Sequence, residues 1–236
     1  MYLDFNGIRR GESSGQENQS KEGNQQGRSG AAGHGGNKSL RICFIGDSFV
    51  NGYGDFNHQG WPGRVCAAAT ARGHDMTCYN LGIRRNTSSD VAVRWRDEAL
   101  RRLPRGEDGR LVFSFGANDT MIEDGRRRVG DETALSNFQA ILAEAASLFP
   151  VLMVGPPPVE NADHNTRIAR LSAKFQSAGR EQGLPYLDVF TPLSTSAVWT
   201  REVADYDGAH PRADGYAELA SLVENWSAWR SWLQAE

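Results

Sequence analysis

From Ser39 onward, short apolar runs alternate with longer segments in which apolar residues recur every three or four positions. The runs at 40–45, 76–81, 111–115, 151–154 and 186–189 read as five strands, and the segments at 61–71, 90–103, 131–149, 165–182 and 213–232 read as helices. In the segment 131–149, Leu135, Phe138, Ile141, Leu142, Ala145 and Leu148 fall on one helical face, and Pro150 stops the helix before the next strand. Pro104 and Gly106 punctuate the end of 90–103 in the same way. Strands separated by helices must pair in parallel through right-handed crossovers, which predicts a three-layer α/β/α doubly wound parallel sheet of about five strands. Trp226, Trp229 and Trp232, spaced by three, are expected to pack the last helix against that sheet.

Residues 11–38 break this pattern. They are mostly Gly, Ser, Gln, Asn and charged residues with almost no apolar side chains, too few to offset the entropy of ordering. Residues 1–38 are therefore expected to be a disordered tail and residues 39–236 the folded domain. At 39% hydrophobic and 23% charged, the composition is that of an ordinary soluble domain. A formal net charge of -3 gives no electrostatic case for a nucleic-acid partner. No run approaches the ~18 apolar residues of a membrane span, and no leader is recognisable, so a cytoplasmic location is the default expectation. Cys43, Cys66 and Cys78 lack a paired motif and sit among apolar or small residues, which predicts three buried free thiols.

In an open parallel sheet the ligand crevice lies beyond the carboxyl ends of the strands, so chemistry-bearing residues should follow strands. After the first strand comes Gly46-Asp47-Ser48-Phe49, a hydroxyl in a tight turn. Serine needs a base within hydrogen-bond reach, itself oriented by a third group. Asp207-Gly208-Ala209-His210 offers both, three residues apart, ahead of the last helix. The candidate triad is Ser48, His210 and Asp207, in which histidine takes the serine proton and returns it to the leaving alcohol while aspartate fixes the ring. Candidate oxyanion donors are the Ser48 N–H, the Gly82 N–H after the second strand and the Asn118 side chain after the third.

These four blocks, Gly46-Asp47-Ser48-Phe49, the stretch around Gly82, Gly116-Ala117-Asn118-Asp119 and Asp207-Gly208-Ala209-His210, resemble in content and order those of the SGNH hydrolases, the GDSL-like esterases and lipases. The resemblance runs from about Leu40 to the C-terminus, and Gly60-Trp61-Pro62 is also similar to many members. It implies a flavodoxin-like fold, the triad and oxyanion residues just named, and a small-molecule ester as substrate. Two departures stand out. Phe49 replaces the commoner leucine, and Arg85 occupies a position where many members carry a second glycine, which bears on loop shape and substrate fit.

Other chemistries find less support. The Gly-x-Ser-x-Gly elbow is absent, and Gly52-Tyr53-Gly54 lacks the third glycine and ribose carboxylate of a dinucleotide site. His34, His58, His74 and His164 show no metal-ligand spacing, so no metal or cofactor is expected and these read as surface or tail histidines. Asp47 and Asp119 are expected to brace loops, Trp199 is a candidate pocket wall, and Arg84 and Arg85 are placed to meet an anionic substrate. A short acyl ester of a sugar or other small alcohol is the leading substrate class. A thioesterase or lysophospholipase with the same triad, transfer of the acyl group to an alcohol, and a non-catalytic binding module of the same fold are the alternatives.

Overall fold

The structure is a computed structural model that describes residues 39–234, so the expected tail at 1–38 lies outside the described residues. A five-stranded parallel sheet is formed by β1 (Leu40–Gly46), β2 (Met76–Gly82), β3 (Asp108–Ser114), β6 (Val151–Val154) and β7 (Tyr186–Leu187), in the order β2-β1-β3-β6-β7. A two-stranded antiparallel ribbon, β4 (Ile122–Glu123) with β5 (Arg126–Arg127), stands apart from it. The helices are α1 (Ser48–Asn51), α2 (Gly60–Ala71), α3 (Ser88–Arg102), α4 (Asp131–Leu148), α5 (Ala162–Glu181), α6 (Phe190–Ser194), α7 (Ala197–Ala204), α8 (Ala213–Asn225) and α9 (Ser227–Gln234).

The period of two along β1 divides the core between the two faces of the sheet. Ile42 and Phe44 face one layer, with Trp61 and Val65 of α2, Tyr216 and Leu219 of α8, and Trp229 of α9. Cys43 and Ile45 face the other, with Trp95 of α3, Phe138 and Leu142 of α4, and Phe175 of α5. Both layers hold close ring pairs, Phe44 edge-on to Trp61 at 5.4 Å and Phe138 stacked on Phe175 at 4.4 Å. The chain moves outward from β1 to β2, then recrosses to β3 on the other side of β1. The strand order therefore reverses between β1 and β3, whose ends Gly46 and Ser114 are register partners.

Several stretches depart from the sequence expectations. The expected strand at 186–189 stops at Leu187, because the Asp188 carboxylate accepts from the Thr191 N–H and opens α6. Residues 190–204, for which no element was foreseen, form α6 and α7, the latter capped by Ser196. The expected helix 213–232 is broken at Trp226, whose ψ of 127° is extended. Arg230 of α9 reaches back to the Glu224 carbonyl and to Asn225 Oδ1, satisfying the end of α8. The break turns Trp229 into the core, while Trp226 and Trp232 pack half-buried against it.

The expectation of three free thiols is also corrected. Cys66 on α2 and Cys78 on β2 form a disulfide, with Cα atoms 6.7 Å apart, and only Cys43 is free and buried. The pairing has no sequence motif. It arises because α2 runs back along the sheet edge that β2 occupies, a relation set by topology.

Candidate active site

The turn after β1 is built around a buried carboxylate. Asp47 caps α1 by accepting from the Phe49 N–H at 2.9 Å, which places Ser48 at the first helical position with its side chain free to face the crevice. Ser48 Oγ lies 2.7 Å from His210 Nε2, and His210 Nδ1 lies 2.8 Å from Asp207 Oδ2. The remaining Asp207 oxygen accepts from the Ala209 and His210 N–H groups at 2.9 and 2.8 Å, so one carboxylate organises the whole turn that carries the histidine. Gly208 helps hold this turn, its carbonyl accepting from the Glu160 N–H and its own N–H donating to Val203. The structure thus brings Ser48, His210 and Asp207 into one hydrogen-bonded line across 162 residues of chain separation.

Electrostatics suit a base that is neutral at rest. Burial disfavours the charged ring of His210 and holds its pKa below the ordinary 6.5; Asp207 opposes this, and the Arg84 charge adds to it. Burial works to raise the Asp207 pKa, but hydrogen bonds from the His210 and Ala209 amides and the ring outweigh it, so Asp207 stays below the ordinary carboxylate range. Asp47 behaves oppositely. Burial pushes its carboxyl up to about 7, with nearby Asp119 adding to the rise and the Phe49 and Asn118 hydrogen bonds opposing it.

Asn118 opens a short 3-10 turn, Asn118–Thr120, after β3. Gly116, at φ 124°, makes that turn possible in a conformation unsuited to other residues. The Asn118 Nδ2 group is anchored on the Asn86 carbonyl at 3.1 Å and on Asp47 Oδ2 at a longer 3.3 Å. Asp119 faces inward and accepts from the N–H and hydroxyl of Ser88, fixing the start of α3. Both aspartates therefore brace loops, as the sequence suggests. His164 is half-buried rather than a surface residue, with Nε2 3.1 Å from the Ala117 carbonyl and 3.0 Å from Thr120 Oγ1, so α5 clamps the same turn.

Two expectations for the second loop change. The Gly82 N–H is taken by Asn80 Oδ1 at 3.0 Å, and a Cβ on Gly82 would fall 2.1 Å from the Asn51 amide nitrogen. This glycine serves the close approach of β2 to α1, not an unoccupied donor position. Three residues on, Arg85 adopts φ 67°, the left-handed conformation a glycine would favour, held by Arg128 on its carbonyl and by Glu123 on its guanidinium. The loop thus keeps a glycine-like bend despite the substitution, and the Arg85 N–H donates to no other described residue. Arg94 ties the loop to the Ser48 turn by donating to the Gly46 carbonyl and to Asn86 Oδ1.

Trp199, a candidate pocket wall, lies instead in the core. Its Nε1 donates to the Pro158 carbonyl, and its ring stacks 6.3 Å from Phe49, which in turn lies 4.9 Å from the His210 ring. Sequence reasoning missed the aromatic surroundings of the histidine. Tyr53 stands edge-on to it at 5.0 Å, with Arg84 over the Tyr53 ring at 3.5 Å. Among the described residues there is no cluster of histidine, cysteine or acidic side chains that would hold a metal, and no helix long and apolar enough to cross a membrane.

Comparison with known proteins matches residues 44–218 to the GDSL-like Lipase/Acylhydrolase family. Among solved structures, a lipase/acylhydrolase from Enterococcus faecalis is 26% identical with a TM-score of 0.68, covering 81% of this chain and 96% of its own. A putative lipolytic protein of the G-D-S-L family from Desulfitobacterium hafniense is 21% identical with a TM-score of 0.64, covering 78% and 97%. The acetylxylan esterase Axe2 from Geobacillus stearothermophilus is 18% identical with a TM-score of 0.65, covering 81% and 96%, a likeness of fold. Comparison with curated protein sequences returns no match. With three quarters of its length inside the family's pattern, the chain belongs to the GDSL-like lipase/acylhydrolase family and is an ester hydrolase.

Proposed function

We propose that the protein hydrolyses carboxylic esters of small alcohols through an acyl-serine intermediate, with Ser48 as nucleophile, His210 as general base and acid, and Asp207 as the residue that orients the ring. The single observation that carries this reading is the continuous pair of contacts from Ser48 Oγ to His210 Nε2 at 2.7 Å and from His210 Nδ1 to Asp207 at 2.8 Å. His210 Nε2 removes the hydroxyl proton as Oγ attacks the ester carbonyl carbon, and the C=O electrons move onto the oxygen. The tetrahedral species collapses, the C–O bond to the alcohol breaks, and the alcohol leaves with the proton held on Nε2. Water then repeats the sequence on the acyl-serine: His210 takes its proton, and Ser48 Oγ leaves with that proton as the carboxylic acid is released.

The oxyanion is assigned to the Ser48 N–H at the start of α1 and to Asn118 Nδ2, whose long contact with Asp47 is the one readily exchanged for a charged acceptor. The engagement of the Gly82 N–H with Asn80 favours the Arg85 N–H, on the bent loop, as the third donor in its place. A short acyl group, the leading expectation from the sequence, is kept as the acyl portion, and Phe49 with the buried Trp199 packs behind the histidine. The Cys66–Cys78 disulfide favours an oxidising compartment over the cytoplasm.

The test is hydrolysis of p-nitrophenyl acetate by wild type and by Ser48→Ala. Turnover is expected in the first and a fall of about 10³-fold or more in the second, with an unchanged circular dichroism spectrum. Equal rates in both proteins would remove Ser48 from the chemistry.

A further inference from the structure

Beside His210 lies a layer of aromatic rings and guanidinium groups outside the Ser48–His210–Asp207 line. Tyr53 stands against the imidazole at 5.0 Å, and Tyr206 lies 5.9 Å from Tyr53. Phe56 extends the layer, edge-on to Tyr206 at 6.4 Å, and is 68% exposed, a large apolar ring held in solvent. Arg84 lies over Tyr53 at 3.5 Å, and Arg212 lies between Phe56 and Tyr206 at 4.7 and 5.0 Å. Neither guanidinium forms an ion pair with a carboxylate of the described residues, whereas Arg85, on the same turn as Arg84, is tied to Glu123 at 2.5 Å. A guanidinium held over a ring by cation–π attraction, with no carboxylate partner of its own, keeps its charge and N–H donors for a planar anion.

Position decides which part of a substrate meets this layer. His210 Nε2 must return its proton to the leaving oxygen, so the alcohol portion of the ester lies on the histidine's side, and Tyr53 and Tyr206 flank that side. The exposed Phe56 ring beside half-buried Tyr53 and Tyr206 suits the C–H face of a pyranose, and a guanidinium suits a carboxylate, which it binds through two parallel N–H bonds. We propose that Tyr53, Phe56, Tyr206, Arg84 and Arg212 form a subsite for the leaving alcohol, and that this alcohol is an acidic sugar, a glycoside bearing a carboxylate, carried as its short acyl ester. The inference rests on the hydrolytic reading above.

The experiment compares O-acetylated methyl glucuronoside with O-acetylated methyl glucoside, which differ in the carboxylate, and includes p-nitrophenyl acetate as a probe without a sugar. In wild type, kcat/KM for the glucuronoside is expected to exceed that for the glucoside by about tenfold or more at low salt, with the ratio falling as salt is raised. In the Arg84→Gln/Arg212→Gln double variant the ratio should fall to near one, and in Phe56→Ala both sugar esters should lose kcat/KM relative to p-nitrophenyl acetate. Phe56 is exposed, so its removal does not endanger the fold. Wild type that turns over p-nitrophenyl acetate with a sugar ratio near one, or a ratio that survives in the double variant, overturns the subsite alone. Wild type that turns over none of the three esters overturns the hydrolytic reading and the subsite with it.

Discussion

Burial and the Arg84 guanidinium both disfavour a second positive charge at the His210 ring, and Asp207 only partly offsets them. A general base works in its neutral form, so with His210 in the proposed role the acid limb of kcat/KM is expected below the ordinary histidine value of 6.5. Replacing Arg84 by glutamine removes a nearby positive charge, makes the protonated ring easier to form and raises its pKa. The limb is then expected to move to higher pH. Asp47 is pushed up to about 7, chiefly by burial, with the Phe49 N–H, Asp119 and Asn118 acting on it as well, whereas Arg84 acts on His210, so an Arg84-dependent displacement is assigned to His210. A pH profile of p-nitrophenyl acetate hydrolysis checks this, and a limb that stays in place or moves down contradicts the assigned base. At this scale the hydrogen-bonded grouping of Ser48, His210 and Asp207 was legible, since Asp207 and His210 are sequence neighbours and Ser48 follows a strand. The Gly82 assignment was not, because only the fold shows Asn80 occupying its N–H. The aromatic layer was equally hidden, because Tyr53, Arg84 and Tyr206 come from three loops far apart in the chain.

Among the elements, α2 and β2 are joined most firmly, by the Cys66–Cys78 bond over a separation of 12 residues. β2 is an edge strand, paired only with β1 within the sheet, and most of its residues are exposed or half-buried. Closing a loop of this length stabilises a fold by about 2–4 kcal/mol, chiefly through the unfolded state. Reduction is thus expected to lower the melting temperature by about 4–16 °C for a domain of this size. Calorimetry with and without reductant, repeated on Cys66→Ser, measures it. A melting temperature indifferent to reductant would contradict the bond's contribution. Hydrophobic period located the long helices α4 and α5 and the central strands, where many residues repeat one signal. It failed at α6 and α7, too short to show a period, and at Trp226, where the apolar spacing continues across a break that only the docking of Trp229 against Phe44 explains.

Across the whole molecule, the doubly wound order brings together groups that the sequence disperses. Reversal between β1 and β3 sets the Ser48 turn beside the Asn118 turn, and the loop before α8 swings His210 over the gap between them. This much followed from alternating apolar segments and from the rule that parallel sheets present their sites at strand ends. The disulfide and the subsite beside His210 required the third dimension, since neither leaves a local signal. The most direct measurement is to trap the acyl-enzyme: mix the protein with p-nitrophenyl acetate, quench in acid within the first turnover, and locate the acetyl group by peptide mass spectrometry. The account expects the label on Ser48, absent from Ser48→Ala and slow to form in His210→Ala. An acetyl group on another residue, or turnover with no serine adduct and no dependence on His210, would contradict it.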